Sequence, residues 1–222
     1  MLLLLATTLL PVAARGDDVT TLSRLAPRLS RTAISEALTA MQCARAKGIG
    51  AEADRLAIID YTRSSKQKRM WVFDLARKRL LFEELVAHGK GSGDDVPTKF
   101  SNRHGSYQTS LGLFLTDETY EGGHGQSLKL LGLSGGLNDR ALERKIVMHG
   151  ADYVDDGVAD KLGRLGRSLG CPAVRREVAW SMIETLKEGQ FVFAYGPGSH
   201  LAKRCEYVRL ASNDEVAPTT RR

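Results

Sequence analysis

A series of short strand-forming runs, separated by glycine-rich segments, limits the folds that this chain can adopt. The runs are rich in Val, Ile, Leu, Phe and Tyr, and they occupy residues 56–61, 70–75, 80–86, 107–115, 126–133, 146–149, 191–195 and 207–210. Because the runs are short and few helical patterns separate them, they favour a closed or sandwiched sheet over a βαβ array. We therefore predict a mostly β (α+β) fold, a single sandwich or barrel domain with a few flanking helices.

Two segments have the apolar spacing of amphipathic helices. The first covers residues 30–47 and ends at Gly48, and the second covers residues 173–186. The second helix is predicted to begin directly after Cys171, so that its N-terminus faces the thiol. Residues 15–29 have a mixed pattern and are expected to be poorly ordered.

The N-terminus has the composition of a secretory signal. Residues 1–14 form an apolar run that ends in Val-Ala-Ala, which predicts cleavage after Ala14. No Lys or Arg precedes the run, and a buried N-terminal helix is the alternative. We divide the chain into this signal, an N-terminal segment with one helix at 15–55, the main domain at 56–210 and a frayed tail at 211–222.

The charge and composition of the chain limit the classes of partner that it can bind. The net charge is +6, and the basic residues are mixed with acidic ones, so a solvated surface is one interpretation and attraction to an anionic polymer is the other. Aromatic residues make up only 6% of the chain and no nucleic-acid-binding motif is present, so we predict no nucleic-acid partner. We also predict no stable membrane span, and we favour a monomer over an oligomer.

Three cysteines, Cys43, Cys171 and Cys205, indicate one disulfide and one free thiol in an oxidising compartment. Cys171 lies between a glycine and a proline in a glycine-rich loop, and we expect it to be the free thiol. Cys43 and Cys205 are then the candidate pair, which would join the N-terminal helix to the C-terminal strand.

Cys171 and His149 are the candidate catalytic residues. A cysteine nucleophile needs a base for its proton and N–H groups for the developing oxyanion. His149 ends an apolar run and could supply the base, while the N–H groups of Gly170 and Cys171 could hold the oxyanion. Ser168 either orients the imidazole or caps the loop. The alternatives are a buried, inert cysteine and a core histidine.

The remaining histidines suggest weaker hypotheses. His124 and His104 could join His149 and Cys171 in a zinc site, but their spacings match no compact zinc pattern and the thiol would be consumed as a ligand, so we predict no metal. His124 and Tyr120 either line a substrate site or belong to a plain loop. His88 and His200 are predicted to lie at the surface. The glycine-rich runs at 89–93 and 122–125 lack a Walker lysine, which excludes a nucleotide loop.

The two motifs together resemble the signature of the L,D-transpeptidase (YkuD-like) catalytic-domain family. That family carries a histidine followed by glycine, a spacer, and then Ser/Thr-His-Gly-Cys, an apolar residue and Arg or Asn. His149 matches the family's base, Ser168 its serine, Gly170 its glycine and Cys171 its nucleophile. The resemblance covers about residues 56–195. Residues 102–106, 120–125 and 168–172 are most similar to a Gram-negative branch of murein L,D-transpeptidase catalytic-domain proteins.

The chain departs from the family pattern at the nucleophile loop. Leu169 replaces a second histidine, and Pro172-Ala173 replaces the apolar residue and the Arg or Asn. The second change removes the Arg or Asn with which the family is expected to recognise the substrate carboxylate. Arg167 and Arg175 are candidates to replace it, because a guanidinium binds a carboxylate through two hydrogen bonds, although both could also be surface arginines. Asn102, in one of the resembling stretches, is a further candidate substrate contact.

The resemblance implies acyl transfer between peptidoglycan stem peptides in the periplasm, through a thioester on Cys171 and without a metal or organic cofactor. Three alternatives stay open. The same site could use water as an L,D-carboxypeptidase or amidase, the domain could be a catalytically silent peptidoglycan-binding module, or it could be a cysteine peptidase of another fold.

Overall fold

A computed structural model describes residues 12–209, which form four helices and nine strands. The helices are α1 (Val12–Leu25), α2 (Arg31–Arg45), α3 (Asp156–Leu162) and α4 (Arg176–Leu186). The strands are β1 (Arg55–Asp60), β2 (Met70–Asp74), β3 (Arg79–Glu84), β4 (Val86–Ala87), β5 (Gly112–Gly122), β6 (Gly125–Gly132), β7 (Val147–Gly150), β8 (Ala173–Val174) and β9 (Phe191–Tyr195). Three short 3₁₀ turns lie at Lys90–Ser92, Ser199–Lys203 and Cys205–Tyr207.

The strands form one mixed sheet in the order β3-β2-β1-β9-β5-β6-β7-β8-β4. The pairs β1–β9 and β7–β8 are parallel, and the other neighbouring strands are antiparallel. Only Leu85 separates the two end strands, β3 and β4, in the chain. The sheet therefore curves back on itself into a nearly closed barrel, which confirms the predicted mostly β class.

Strand alternation divides the apolar side chains between two faces of the sheet. In β1, Leu56 and Ile58 pack in a cluster with the buried residues of α1 and α2. Ala57 and Ile59 belong to a second cluster, which includes Met148 of β7 and the buried side of α4. The site elements β7, β8 and α4 are thus held by one packed core.

Helix α1 contradicts the prediction that residues 15–29 are poorly ordered. Val19, Leu22, Ala26 and Leu29 recur at intervals of three and four residues, and all four are buried in the cluster that contains α2. Residues 1–11, and with them most of the predicted signal, lie outside the described residues, as does the predicted tail. Cleavage after Ala14 stays a prediction. No helix in the described part of the chain is long and apolar enough to cross a membrane.

The segment after Cys171 also differs from the prediction. Residues 173–174 form β8, which pairs with β7 on one side and β4 on the other, and α4 begins only at Arg176. Pairing on both edges keeps this stretch extended. As a result, no helix N-terminus directly follows the thiol. In the predicted 207–210 run, only an isolated bridge between Val208 and Ser134 is found in the described residues.

A disulfide joins Cys43 of α2 to Cys205, 162 residues along the chain, with Cα atoms 4.9 Å apart. It fastens the C-terminal segment to the N-terminal helices. Two polar contacts support the same attachment: Lys47 donates to the Val208 carbonyl at 2.6 Å, and Ser199 donates to the Glu36 carboxylate at 3.0 Å.

Removal of this disulfide is expected to destabilise the domain. The double variant Cys43→Ser/Cys205→Ser should lose about 2 kcal/mol of unfolding free energy, at the low end of the usual range because the other contacts still hold the segment. Urea unfolding of the parent and the variant, with the reduced parent as a control, measures the change. Equal transition midpoints would contradict the expectation.

Candidate active site

The loop that holds Cys171 connects α3 to β8 and is closed by Ser168. The Gly170 N–H donates to Ser168 Oγ at 3.0 Å, and that hydroxyl donates to the Cys171 carbonyl at 2.6 Å. Gly170 has φ +134°, and a Cβ there would lie 3.1 Å from the Gln108 carbonyl oxygen, so the loop requires glycine. Ser168 therefore caps the loop, and its hydroxyl is not engaged with the imidazole of His149.

A buried histidine supports this loop from behind. The His88 carbonyl accepts from the Ser168 N–H at 3.0 Å, and His88 Nδ1 lies 2.8 Å from the guanidinium of Arg69. Arginine can only donate, so Nδ1 is the acceptor and Nε2–H donates to the Gly93 carbonyl at 3.3 Å. Burial and the Arg69 charge lower the pKa of His88 to about 4. The prediction that His88 lies at the surface is wrong, whereas His200 is exposed as predicted.

The Cys171 thiol is held against the start of β7. Its sulfur accepts from the Val147 N–H at 3.5 Å, and the S–H faces the Lys145 carbonyl at 3.7 Å. Burial raises the pKa of the thiol, while the Val147 N–H and the charge of Arg144 act in the opposite direction. The group is therefore a neutral thiol at pH 7 and needs a base before it can attack.

Arg144, which sequence reasoning missed, is the cation beside the nucleophile loop. Its guanidinium donates to the carbonyls of Ser101 and Gln108, both at 2.6 Å, and also to Ser110 Oγ. One guanidinium nitrogen lies 3.4 Å from the position that a Cβ on Gly170 would occupy. Arg144 thus organises the 101–110 segment and places positive charge near the thiol. Its position, just before the apolar run of the motif, was the available signal.

His149 lies in β7, where it pairs with Ser127 of β6 and Ala173 of β8. Its ring stacks on that of His124, with centroids 4.2 Å apart and planes at 20°. Nδ1 lies 2.9 Å from the Gly150 carbonyl oxygen, which can only accept, so Nδ1 carries the proton. Burial lowers the pKa of His149. The ring is consequently neutral at pH 7, and its Nε2 has no hydrogen-bond partner among residues 12–209.

His149 lies in β7 and Cys171 in the loop that leads into β8, and their side chains make no hydrogen bond with each other in the described structure. The sulfur contacts Val147, and His149 is the next residue on the same face of β7. That step is roughly 7 Å along a strand. Catalytic hydrogen bonds often tighten only when substrate binds.

The two arginines proposed to replace the family's substrate-binding group are engaged elsewhere. Arg167 donates to the Gly93 carbonyl at 2.7 Å and to the Asp94 carboxylate at 2.9 Å. Arg175 makes a two-point ion pair with Glu84, at 2.8 and 2.9 Å. Their guanidinium groups hold the loops around the site together.

The other predicted contacts divide into two groups. Asn102 donates to Asp139 at 2.5 Å and accepts from the Arg140 N–H, so it fastens a loop. Tyr120 is 41% exposed and lines a groove beside Val147, while His124 covers the His149 ring. Among residues 12–209, no cluster of three His, Cys, Asp or Glu side chains could hold a metal ion.

Tyr61 is a second residue that sequence reasoning missed. Its side chain is fully buried against a small cavity behind the nucleophile loop, beside Gly170 and Pro172. The hydroxyl has no hydrogen-bond partner within the described residues, and burial raises its pKa. Arg69 stacks on the ring at 5.2 Å. The Tyr61 hydroxyl is therefore available as a hydrogen-bond donor in the cavity that Gly170 and Pro172 also line.

Comparison with known proteins identifies the family. The model of the L,D-transpeptidase catalytic domain (YkuD_2) matches residues 25–195. The chain belongs to this family. L,D-transpeptidases are cysteine-dependent enzymes, and Cys171 is a free cysteine in this chain. No protein with a curated description matches the chain.

Solved L,D-transpeptidase structures resemble the chain only distantly. One from Mycobacterium smegmatis is 12% identical with a TM-score of 0.42, covering 65% of this chain and 59% of that one. One from Mycobacterium tuberculosis is 14% identical with a TM-score of 0.37, covering 64% and 58%. One from Enterococcus faecium is 13% identical with a TM-score of 0.35, covering 64% and 50%. The aligned region thus spans 50 to 59% of the length of these three proteins.

The raised thiol pKa of this L,D-transpeptidase domain predicts a specific pH profile. Only the thiolate reacts quickly with iodoacetamide, and an ordinary cysteine, with a pKa of about 8.5, is roughly 3% thiolate at pH 7. Because burial raises the Cys171 pKa, Cys171 should be alkylated more slowly at pH 7 than an ordinary cysteine. Its alkylation rate should still increase above pH 9. Mass spectrometry of the disulfide-intact protein measures the rate, with glutathione as the reference thiol. A rate that levels off below pH 8 would contradict the expectation.

Proposed function

We propose that this chain is a peptidoglycan L,D-transpeptidase that transfers an acyl group between stem peptides through a thioester on Cys171. The observation that carries the proposal is the arrangement at β7: a free thiol against the Val147 N–H, and two residues along the strand a neutral imidazole whose Nε2 has no hydrogen-bond partner within the described residues. A thiol of raised pKa needs a base, and this imidazole is available as one.

In the first step, the Cys171 sulfur attacks a carbonyl carbon of the donor stem while its proton passes to His149 Nε2. A C–S bond forms, and the carbonyl becomes a tetrahedral oxyanion. Collapse of this intermediate breaks the C–N bond, and the imidazolium returns the proton to the departing amine. We infer that substrate binding brings the imidazole and the thiol into contact.

The oxyanion requires N–H donors, and the two that were predicted differ in availability. The Gly170 N–H is already bonded to Ser168 Oγ. The Cys171 N–H belongs to the residue that carries the thiol, and it lowers the pKa of that thiol. Of the two, the Cys171 N–H is therefore the donor that we assign to the oxyanion.

In the second step, an amine of an acceptor stem attacks the thioester, His149 takes a proton from that amine, and Cys171 leaves as the thiol. Water in place of the amine would make the domain an L,D-carboxypeptidase or amidase. Leu169, two residues before Cys171, is 59% exposed and offers an apolar surface that a peptide acceptor could contact. The Cys43–Cys205 disulfide supports action outside the cytoplasm, in the periplasm.

Intact-mass analysis tests the proposal. The purified protein is incubated with disaccharide-tetrapeptide muropeptides and, separately, with a carbapenem, and the adduct is mapped by peptide sequencing. An acyl adduct on Cys171 with cross-linked dimers as products supports transfer, and shortened monomers alone support hydrolysis. A folded protein that gives neither adduct nor product would favour a peptidoglycan-binding module, for which the departures at Leu169 and Ala173 are the sequence evidence.

A further inference from the structure

A groove of about 250 Å³ opens beside the thiol, between the β5–β6 hairpin and the segment that leads into β7. It is lined by Tyr120, Lys129, Leu142, Lys145, Ile146 and Val147. Two of these lining residues also contact the Cys171 sulfur through their main chain, the Val147 N–H at 3.5 Å and the Lys145 carbonyl at 3.7 Å. Its walls are mostly apolar, and its two lysines are the cationic groups among these lining residues.

The two lysines differ in their partners. Lys129 forms an ion pair with Glu118, so its charge is largely neutralised. Lys145 is exposed, and its ammonium group has no ion-pair partner within residues 12–209. The groove therefore carries one positive charge without an ion-pair partner in the described part of the chain, on a residue whose main-chain carbonyl faces the thiol.

The backbone at Lys145 has a conformation that glycine adopts more readily than lysine. Lys145 has φ +56° at the end of a helical turn. Its N–H donates to the Leu142 carbonyl at 3.0 Å, and the Ile146 N–H donates to the Ala141 carbonyl at 2.9 Å. This pair of bonds is the helix-terminating pattern in which glycine is preferred at the left-handed position. A lysine at this position breaks a local preference, and such exceptions concentrate at functional sites.

We propose that Lys145 binds a carboxylate of the donor stem peptide and anchors that peptide in the groove. This inference rests on the proposed function and assigns the group that takes the place of the family's Arg or Asn after the nucleophile. Arg167 and Arg175 cannot serve without breaking their pairs with Asp94 and Glu84. One free cation on apolar walls complements a short peptide that carries a single carboxylate near the reacting bond.

Two matched substrates and three variants test the proposal. The substrates are disaccharide-tetrapeptides whose diaminoacyl residue carries either a free carboxylate or a carboxamide. The variants are Lys145→Gln, Lys145→Gly and, as a control for the lost charge, Lys161→Gln on the exposed side of α3. Rates of thioester formation give kcat and KM for each combination.

We expect Lys145→Gln to lower kcat/KM about 10- to 100-fold for the carboxylate substrate, mainly through KM, and to leave the carboxamide substrate unchanged. Lys145→Gly should likewise lose the preference for the carboxylate substrate over the carboxamide substrate. Its Tm should stay equal to or above that of the parent, because glycine suits the left-handed backbone. The Lys161→Gln control should keep the full preference.

The outcomes separate this inference from the proposed function. A parent that is acylated, together with a Lys145→Gln variant that keeps the carboxylate preference, would overturn the inference and leave the function standing. If the parent forms no thioester, the function fails, and calorimetric titration of both peptides into a Cys171→Ala background decides the inference separately. Tighter binding of the carboxylate peptide that disappears with Lys145→Gln supports it, and equal binding of the two peptides overturns it.

Discussion

Replacing Cys171 with alanine is expected to abolish acyl-enzyme formation and every product that depends on it. The thiol is the atom that bonds to the substrate carbonyl in the proposed reaction, and loss of a nucleophile of this kind removes roughly 10⁴-fold or more of the rate. The measurement is intact mass after incubation with muropeptides or a carbapenem, together with chromatography of the products. The parent should gain one acyl group on Cys171, and the alanine variant should gain none.

The fold should survive this substitution, which makes a negative result interpretable. The sulfur makes two long hydrogen bonds, to the Val147 N–H and the Lys145 carbonyl, and packs at the margin of a core cluster. We expect a loss of about 1 kcal/mol or less in unfolding free energy. Circular dichroism and the urea midpoint serve as controls. An adduct on the alanine variant would place the nucleophile elsewhere and contradict the proposed mechanism.

The strand content of the domain was predictable because it depends on local patterns. Alternating and continuous apolar runs identified β1, β2, β3, β6, β7 and β9 to within a few residues. The errors fall where distant partners decide the local structure. Residues 173–174 carry a helix-compatible sequence, yet pairing with β4 and β7 makes them a strand. Helix α1 was missed because its apolar stripe is narrow and is stabilised by packing against α2.

The residues of the candidate site were also predictable only where local sequence motifs contain them. The motifs predicted Cys171 and His149 as the catalytic pair, because the chemistry requires particular residue types close to a sharp loop, and both lie at β7, His149 in the strand and Cys171 against the Val147 N–H. The supporting residues were not identified. His88 is buried together with Arg69, which lies 19 residues earlier in the chain. A pairing between residues so far apart leaves no local pattern in the sequence. Arg144 was missed for the same reason, because the carbonyls that it contacts lie 36 and 43 residues away in the chain.

Replacing His149 with glutamine is expected to slow acyl transfer about 10²- to 10⁴-fold, the usual contribution of a general base. The effect should be large because the thiol pKa is raised, so little thiolate forms without a base. Burial lowers the pKa of His149, so the neutral base predominates through the neutral pH range. In the parent, kcat/KM should therefore increase as the pH rises through a value below about 6.5 and then level off.

The pH profile of the variant distinguishes catalysis from structural support. Without the imidazole, the rate should follow the thiolate fraction and keep increasing above pH 9, where the parent rate is already constant. His124→Gln is the matched control, because it removes the stacked neighbour and leaves Nε2 of His149 in place. If both variants lose activity equally, in proportion to a lower Tm, His149 supports the fold only. A shifted pH profile in the His149 variant alone identifies it as the base, because a structural role would not change which group titrates.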